Sequence, residues 1–396
     1  MTTAKRWLLP DGVEEILPAE AYRLESLRRD LLDLYASWGY ELVITPLIEF
    51  LDSLLVGSSH DLDIHTFKIT DQLSGRMMGI RADITPQAAR IDAHCLNRQG
   101  PVRLCYADSV LHTRPRGLMT SRVPIRIGAE LYGHAGVACD IELVCLMHET
   151  LRRAQVPDLY IVLGHVGIFR TLVAAARLPI EIEHSLFDAM QRKAFDEVDQ
   201  VLDARVSDSA LESMLKSLSR LSGDETVLDQ ALEVFAGAPE TVQKELQDLV
   251  DIVDGVRKRI PDVNLCFDLC ELRGYEYHTG IVFAAYTPSY GRAVAKGGRY
   301  DHIGEVFGRA RPASGFDSDL KTLARLTGKD FARSKGIIAP AGHDEALLGK
   351  IRELRERGES VVQWLDDSLP DEGQIAELNC DRKLVIEQGV WQVAPV

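Results

Sequence analysis

Leu272-Arg273-Gly274-Tyr275-Glu276-Tyr277-His278-Thr279-Gly280-Ile281-Val282-Phe283, followed by Gly297-Gly298-Arg299-Tyr300-Asp301, is the part of this 396-residue chain with the most chemistry in it. It sets an arginine, aromatic and imidazole rings and an acid between two glycines. A second glycine-flanked arginine follows on what reads as a neighbouring strand. A guanidinium suits a carboxylate, ring edges suit a polar side chain, and glycines let backbone come close, so the inventory is that of a site for a small zwitterion. Taken alone, the same residues also read as a twisted strand with surface aromatics and a loop.

The rest of the chain narrows the choice. At 396 residues it exceeds the usual ceiling for one hydrophobic core, so two domains, or one large domain with an appendage, are expected. Forty-five Lys and Arg against 60 Asp and Glu give a net charge of −15, which opposes nonspecific binding to nucleic acid or anionic membranes. No apolar run approaches the ~20 residues needed to cross a bilayer, and Met1 to Pro10 lacks the apolar core of a signal peptide. Seven cysteines, an odd number without zinc spacing, read as reduced thiols of a cytoplasmic protein.

Leu24, Leu27, Leu31, Leu34 and Trp38 predict a helix from Ala19 to Trp38, ended by Gly39. Tyr40 to Leu47 and Met77 to Ile80 read as strands, and Pro86 to Leu96 as a helix. Val102 to Arg114 and Val123 to Tyr132 read as two strands, and Asp140 as the cap of a helix with Ile141, Val144, Met147 and Leu151 inside. Leu159 to Leu163 is a further strand. Residues 180–259 turn polar and amphipathic, the mark of a helical insertion. Strands return from Val263, and Pro312 to Gly328 reads as a strand turning into a helix. A boundary near Asp330 divides a domain of residues 1–330 from one of residues 331–396. The second holds one βαβ unit and a terminal pair of short strands, too little for a full doubly wound domain.

Pro10-Asp11-Gly12 through Ile16-Leu17-Pro18, then Gly39 through Glu49, then the opening stretch with Gly297 to Asp301, together resemble the class II aminoacyl-tRNA synthetases, and specifically their histidyl branch, over about Leu9 to Leu326. The resemblance implies an α+β fold: an antiparallel active-site sheet flanked by helices, with the helical insertion and a small truncated α/β C-terminal domain. It also implies dimerisation through the first motif, Gly39 to Glu49. Strands that follow one another without regular helical crossovers suggest an antiparallel core independently.

Amino-acid activation builds negative charge on phosphate oxygens, which fixed guanidinium groups stabilise by roughly 3–4 kcal/mol per well-placed donor. The family supplies one such arginine from its second motif and one from its third. Aligned on Arg103-Leu104, the second-motif slot holds His112, and anchoring on Arg114-Pro115 instead puts Leu111 there. If the strand runs that far, Arg114 lies two residues on and shares a face with His112. The third motif, Gly315 to Thr322, has Thr322 in the arginine's place and Asp317 and Asp319 where a polyphosphate would lie. Both ATP-clamping arginines are absent from their positions.

The amino-acid pocket is better kept. The resemblance places Asp83 and Thr85 at the α-amino group, Glu130 facing the imidazole, Arg273 at the carboxylate, and Tyr277 and His278 in the histidine-reading signature. Arg126 replaces a glutamine and His278 a tyrosine. A positive charge at Arg126 beside an ammonium is unfavourable unless Asp83 or Glu130 neutralises it, so three outcomes stay open: histidine binds, binds in another pose, or the pocket is a relic. Other readings stand beside these. Asp83 and Glu130 also suit ion pairs with Arg81 and Arg126, and Arg299 suits bracing its loop as well as touching a ligand. The histidines show no metal-type spacing, and no cofactor is expected.

The C-terminal residues carry an acidic stretch, Glu359, Asp366, Asp367, Asp371 and Glu372, that is a poor surface for the phosphates of tRNA. A synthetase body with a pocket, no ATP arginines and no complete anticodon domain resembles the regulatory subunits of ATP phosphoribosyltransferase. That resemblance implies a noncatalytic cytoplasmic subunit that joins a short-form catalytic subunit in a hetero-octamer. It would be needed for the first step of histidine biosynthesis and would make that step sensitive to histidine, bound here, at the subunit junction, or only to the catalytic chain. An active histidyl-tRNA synthetase or a related amino-acid-activating ligase is the alternative.

Overall fold

The computed structural model describes residues 7–55, 60–115, 117, 120–272, 277–366, 368 and 370–396. The chain forms two compact units, Met1–Lys329 and Asp330–Val396.

In the first unit α1 (Pro18–Ser37) buries Leu24, Leu27, Leu31 and Leu34, the stripe its three- and four-residue spacing predicts. Gly39, at φ +81°, turns the chain out of it. The expected strand Tyr40 to Leu47 shrinks to β1 (Glu41–Leu42). Pro46 has no N–H for a ladder, and the Leu47 carbonyl accepts from the Arg81 amide instead. There follow β2 (Ile48–Phe50), the short helices α2 (Leu51–Leu54) and α3 (His60–His65), β3 (Phe67–Thr70) and β4 (Met77–Ile80). These strands form a small antiparallel sheet in the order β2-β4-β3.

Helix α4 (Thr85–Arg90) has Pro86 in its first turn, then widens into a π-type turn over Ile91–Leu96. The Asn97 amide reaches back five residues to the Asp92 carbonyl, and the buried Asp92 carboxylate is held by Arg311 at 3.0 Å. That buried ion pair is where the expected regular helix departs from α geometry.

The strands β5 (Val102–Ser109) and β6 (Ile125–Tyr132) pair antiparallel over eight residues. Next come α5 (Val137–Arg153), β7 (Tyr160–His165) and α6 (Val166–Ala176). Asp140 does not cap α5. Gly136 occupies the cap position, and Asp140 lies one turn in, buried, accepting from Arg299 and Ser314. The stretch 180–259 holds α7 (Ile180–Gln191), α8 (Phe195–Arg205), α9 (Ser209–Arg220), β8 (Ser222–Gly223), α10 (Thr226–Val234) and α11 (Glu240–Arg259). Helix α11 buries Val242, Leu246, Leu249, Ile252, Val253 and Val256 and packs against α5 and α6.

The unit closes with β9 (Leu265–Asp268), β10 (Ile281–Thr287), β11 (Tyr290–Arg299), β12 (Ala313–Asp319) and α12 (Leu320–Leu326). Among the described residues its main sheet has nine strands in the order β1-β5-β6-β12-β11-β10-β7-β9-β8. Pairing is antiparallel except at β1–β5 and β7–β9, which are parallel.

The second unit contains β13 (Gly336–Ala339), α13 (Glu345–Glu356), β14 (Val361–Gln363), α14 (Glu372–Glu377), β15 (Cys380–Glu387) and β16 (Val390–Pro395). Its sheet runs β14-β13-β15-β16, with β13 parallel to both neighbours and β15–β16 an antiparallel hairpin. Ile337, Ala339, Leu347, Ile351, Leu354, Val361 and Leu384 form its core. The terminal strands are longer than expected, and Asp371 of the acidic stretch closes a capping box on α14 with Gln374.

All seven cysteines are free. Among the described residues, no helix is long and apolar enough to cross a membrane, and no acidic, histidine or cysteine cluster has the makings of a metal site.

Candidate functional site

Register pairing lines up one face of the main sheet in rows. One row runs Gly164, Val282, Gly298, Gly315, Glu130, Leu104 across six strands. The next holds Lys296, Asp317, Gly128 and Tyr106, and a third Asp319, Arg126 and Asp108. Because alternate residues share a face, Arg126, Gly128 and Glu130 lie in series along β6.

The glycines have no side chains of their own, so neighbouring side chains lie across them. A Cβ on Gly298 would sit 2.7 Å from the His278 ring, and one on Gly128 2.7 Å from the Tyr106 hydroxyl. Both Glu130 Oε2 and the Tyr300 hydroxyl lie closer to Gly315 than any Cβ there would tolerate.

Glu130 is 1% exposed. Its Oε1 accepts from the Thr85 hydroxyl at 2.9 Å and the Tyr106 hydroxyl at 3.1 Å. Its Oε2 has no hydrogen-bond partner among the described residues, nor has the Tyr300 hydroxyl. Burial pushes the Glu130 carboxyl well above the usual carboxylate range. The two hydroxyls pull it back, and the negative charges of Asp83 and Asp317 raise it further. A carboxyl so placed can accept from, or when protonated donate to, a ring nitrogen.

Asp83 accepts through Oδ1 from the Ile84 and Thr85 amides at 2.6 and 3.2 Å, which fixes the start of α4 and aims Thr85 at Glu130. The suggested ion pairs of Arg81 with Asp83 and Arg126 with Glu130 do not form. The buried Arg81 binds Asp108 at 2.8 Å together with carbonyls of Thr45 and Ser109, because strand ends converge there. Arg126 pairs with Asp317 at 3.4 Å, across the β6–β12 pairing. Burial works against its charge, but the carboxylates of Asp317, Asp83 and Asp319 outweigh that and hold it firmly protonated.

The structure thus brings Asp83, Thr85, Arg126, Glu130 and His278 onto or beside one face. His278 is buried, its ring 4.2 Å from that of Tyr277, which is 45% exposed and stands at the rim. Both rings lie within 6.4 Å of Tyr300. Arg273, expected at a ligand's carboxylate, lies outside the described residues, as do Gly274, Tyr275 and Glu276. Arg299 braces. It is bound to Asp140 at 2.7 Å, to Asp301 at 3.2 Å and to the Gly136 carbonyl, and Asp140 also takes the Ser314 hydroxyl at 2.6 Å. The nearby His165 ring is pushed down to about 3 by burial and by the Arg299 charge, so it is neutral.

Of the two positions where the resemblance leads one to look for an ATP-binding arginine, the first, His112, is buried with Nε2 3.0 Å from the Ala82 carbonyl. Thr322 donates to Asp319 Oδ2 at 3.0 Å. Asp319 is further engaged by the Lys321 amide at 3.2 Å and the Ile125 amide at 3.3 Å, so it caps α12. Arg114 is exposed and lies beyond β5, which ends at Ser109, so the shared-face argument for it does not hold.

Sequence reasoning missed Tyr106 as a site residue and held Tyr300 only as a member of the stretch Gly297 to Asp301, with no role of its own. Tyr106 had a signal: Leu104, Tyr106 and Asp108 alternate along one strand.

Residues 12–323 match the family described as histidyl-tRNA synthetase, and residues 334–394 the C-terminal domain of the ATP phosphoribosyltransferase subunit HisZ. The ATP phosphoribosyltransferase regulatory subunits of Ectopseudomonas mendocina and Stutzerimonas stutzeri are 55% and 56% identical over 397 residues, covering all of both chains. Among solved structures, a regulatory subunit/histidyl-tRNA synthetase from Bacillus halodurans superposes with a TM-score of 0.84 at 24% identity, over 97% of this chain and 99% of that one. Histidyl-tRNA synthetase from Nostoc superposes with a TM-score of 0.77 at 18% identity, over 98% and 97%. The fold is therefore that of class II histidyl-tRNA synthetase, and by its close full-length relatives the chain belongs to the family of ATP phosphoribosyltransferase regulatory subunits.

Proposed function

We propose that the chain is a noncatalytic subunit that assembles with the short-form catalytic subunit of ATP phosphoribosyltransferase, is required for the first step of histidine biosynthesis, and makes that step sensitive to histidine. The observation that carries this reading is the split character of one cleft. Its Glu130 end keeps a buried acid with an unmatched oxygen beside Thr85, Tyr106 and Tyr300. Its other end holds His112 and Thr322 on structural hydrogen bonds, with Asp319 spent on a helix cap. The first end suits a ligand's ring nitrogen and the second offers a triphosphate little.

The partner and the pathway step follow from what the relatives are called. Histidine, with Asp83, Thr85, Arg126, Glu130, Arg273, Tyr277 and His278 as its contacts, is the effector. Leu42, Ile44, Leu47 and Ile48 are each more than 40% exposed, an apolar strip that suits self-dimerisation through the first-motif region within a cytoplasmic hetero-octamer. tRNA has no part in this reading. For histidine to inhibit, it must bind one conformation of the complex more tightly than another, and a tenfold preference corresponds to about 1.4 kcal/mol.

The second reading, an active synthetase, draws on the match over residues 12–323. One pair of assays separates the two. The purified chain is expected to show no histidine-dependent exchange of pyrophosphate into ATP and to restore activity and histidine inhibition to a short-form phosphoribosyltransferase. Measurable exchange would establish the synthetase instead.

A further inference from the structure

Arg126 stands at the acidic end of the cleft, in register with Asp108 on β5 and Asp319 on β12. Two of the surrounding acids are committed elsewhere: Asp108 to Arg81, and Asp319 to the cap of α12. Asp317, at 3.4 Å, and Asp83 remain, and their negative charges fall on Arg126. Asp83 spends Oδ1 on two backbone amides. The Arg126 side chain is mostly buried, so its charge is felt strongly by whatever lies beside it. A ligand that placed its own cation beside Asp83 and Asp317 would meet Asp317 already paired, and a like charge next to both.

We propose that Arg126 is a built-in cation that takes the place of a ligand's ammonium, so that the cleft selects its ligand by the imidazole ring at the Glu130 end and not by the α-amino group. The inference rests on the reading of this cleft as an imidazole site and deepens it. The ligand class becomes imidazoles bearing a short carboxylate chain, with the amine dispensable. Arg126 is thereby a specificity-determining residue. The diagonal pair with Asp317 fixes where its charge sits, and Gly128, between it and Glu130 along β6, gives the Tyr106 ring its room between the two ends.

The test compares L-histidine with imidazolepropionate, which has the same ring and carboxylate without the amine. Calorimetry on the full-length chain, at a pH where both free rings are neutral, reads the ratio of the two affinities. The expected ratio is within about threefold of unity for the native chain and for Arg126→Lys, and at least tenfold in favour of histidine for Arg126→Gln. A purely structural role for Arg126 would weaken both probes together and leave the ratio unmoved. A native chain that already prefers histidine tenfold, with Arg126→Gln unchanged in ratio, overturns the inference and leaves the imidazole site standing. Failure of both probes to bind the native chain overturns the inference together with the reading beneath it. If Arg126→Gln does not fold, Asp317→Asn, which leaves the Arg126 charge without its nearest counter-charge, is expected to shift the ratio at least about threefold toward imidazolepropionate, and an unchanged ratio overturns the inference.

Discussion

The two ends of the cleft are built on the same strands and settle their charges differently. Near Arg126 the acids are assigned: Asp108 to Arg81, Asp317 to Arg126, Asp319 to the first turn of α12. At Glu130 one carboxyl oxygen and one phenol face bare backbone with no described partner. An unmatched buried polar group costs about 1–3 kcal/mol, which a completed network does not. Among the described residues, the first end is chemically closed and the second is not.

The largest expected effect comes from cutting the brace behind the open end. Asp140→Ala strips the buried Arg299 of its main partner, and breaking a buried pair from one side costs about 3–5 kcal/mol. Urea unfolding should show it. A loss below about 1 kcal/mol would mean that the open end does not depend on that brace.

Gly315→Ala sharpens the contrast directly. The added methyl meets Glu130 and Tyr300, so about 1–3 kcal/mol of stability is expected to go, with binding of L-histidine down at least tenfold. Gly291→Ala, where a Cβ meets nothing within 4 Å, is the control and should leave binding unchanged. Equal binding in the two variants would remove the Glu130 end from the site.

Glu130→Gln is the gentlest change and alters a slope rather than a level. A carboxyl whose folded pKa is raised contributes most below its unfolded value, about 4.3, and that contribution is lost as pH rises toward the folded value. The native chain should therefore lose stability relative to Glu130→Gln as pH climbs from about 4.5. Parallel stability profiles for the two proteins would show that Glu130 is matched after all.

The residue types of the site were readable because each brought its own chemistry, but the hydrogen bond that joins Thr85 to Glu130 was not, since the resemblance set the two at different parts of a ligand. What Arg126 does was not readable. Its partner Asp317 lies on another strand and meets it through a register that no local pattern encodes. Asp140 misled for the same reason, since a capping residue and a buried acceptor for Arg299 look alike until β11 is placed. Helix α1 was legible because its stripe is local. The parallel pair β7–β9 was not, because the whole helical insertion separates the two strands.

The pairing of Gly315 with Glu130 joins positions roughly 185 residues apart in the chain. At 5–20 residues per second, β6 leaves the ribosome about 10–40 s before β12 exists to cover its free edge. Through that interval a strand carrying an acid destined for burial waits with unpaired amides and carbonyls, a template for wrong partners. The cleft that distinguishes this chain is thus also the last part of its main sheet to be completed, and the yield of folded protein should depend on how quickly the helical insertion folds and lets the later strands arrive.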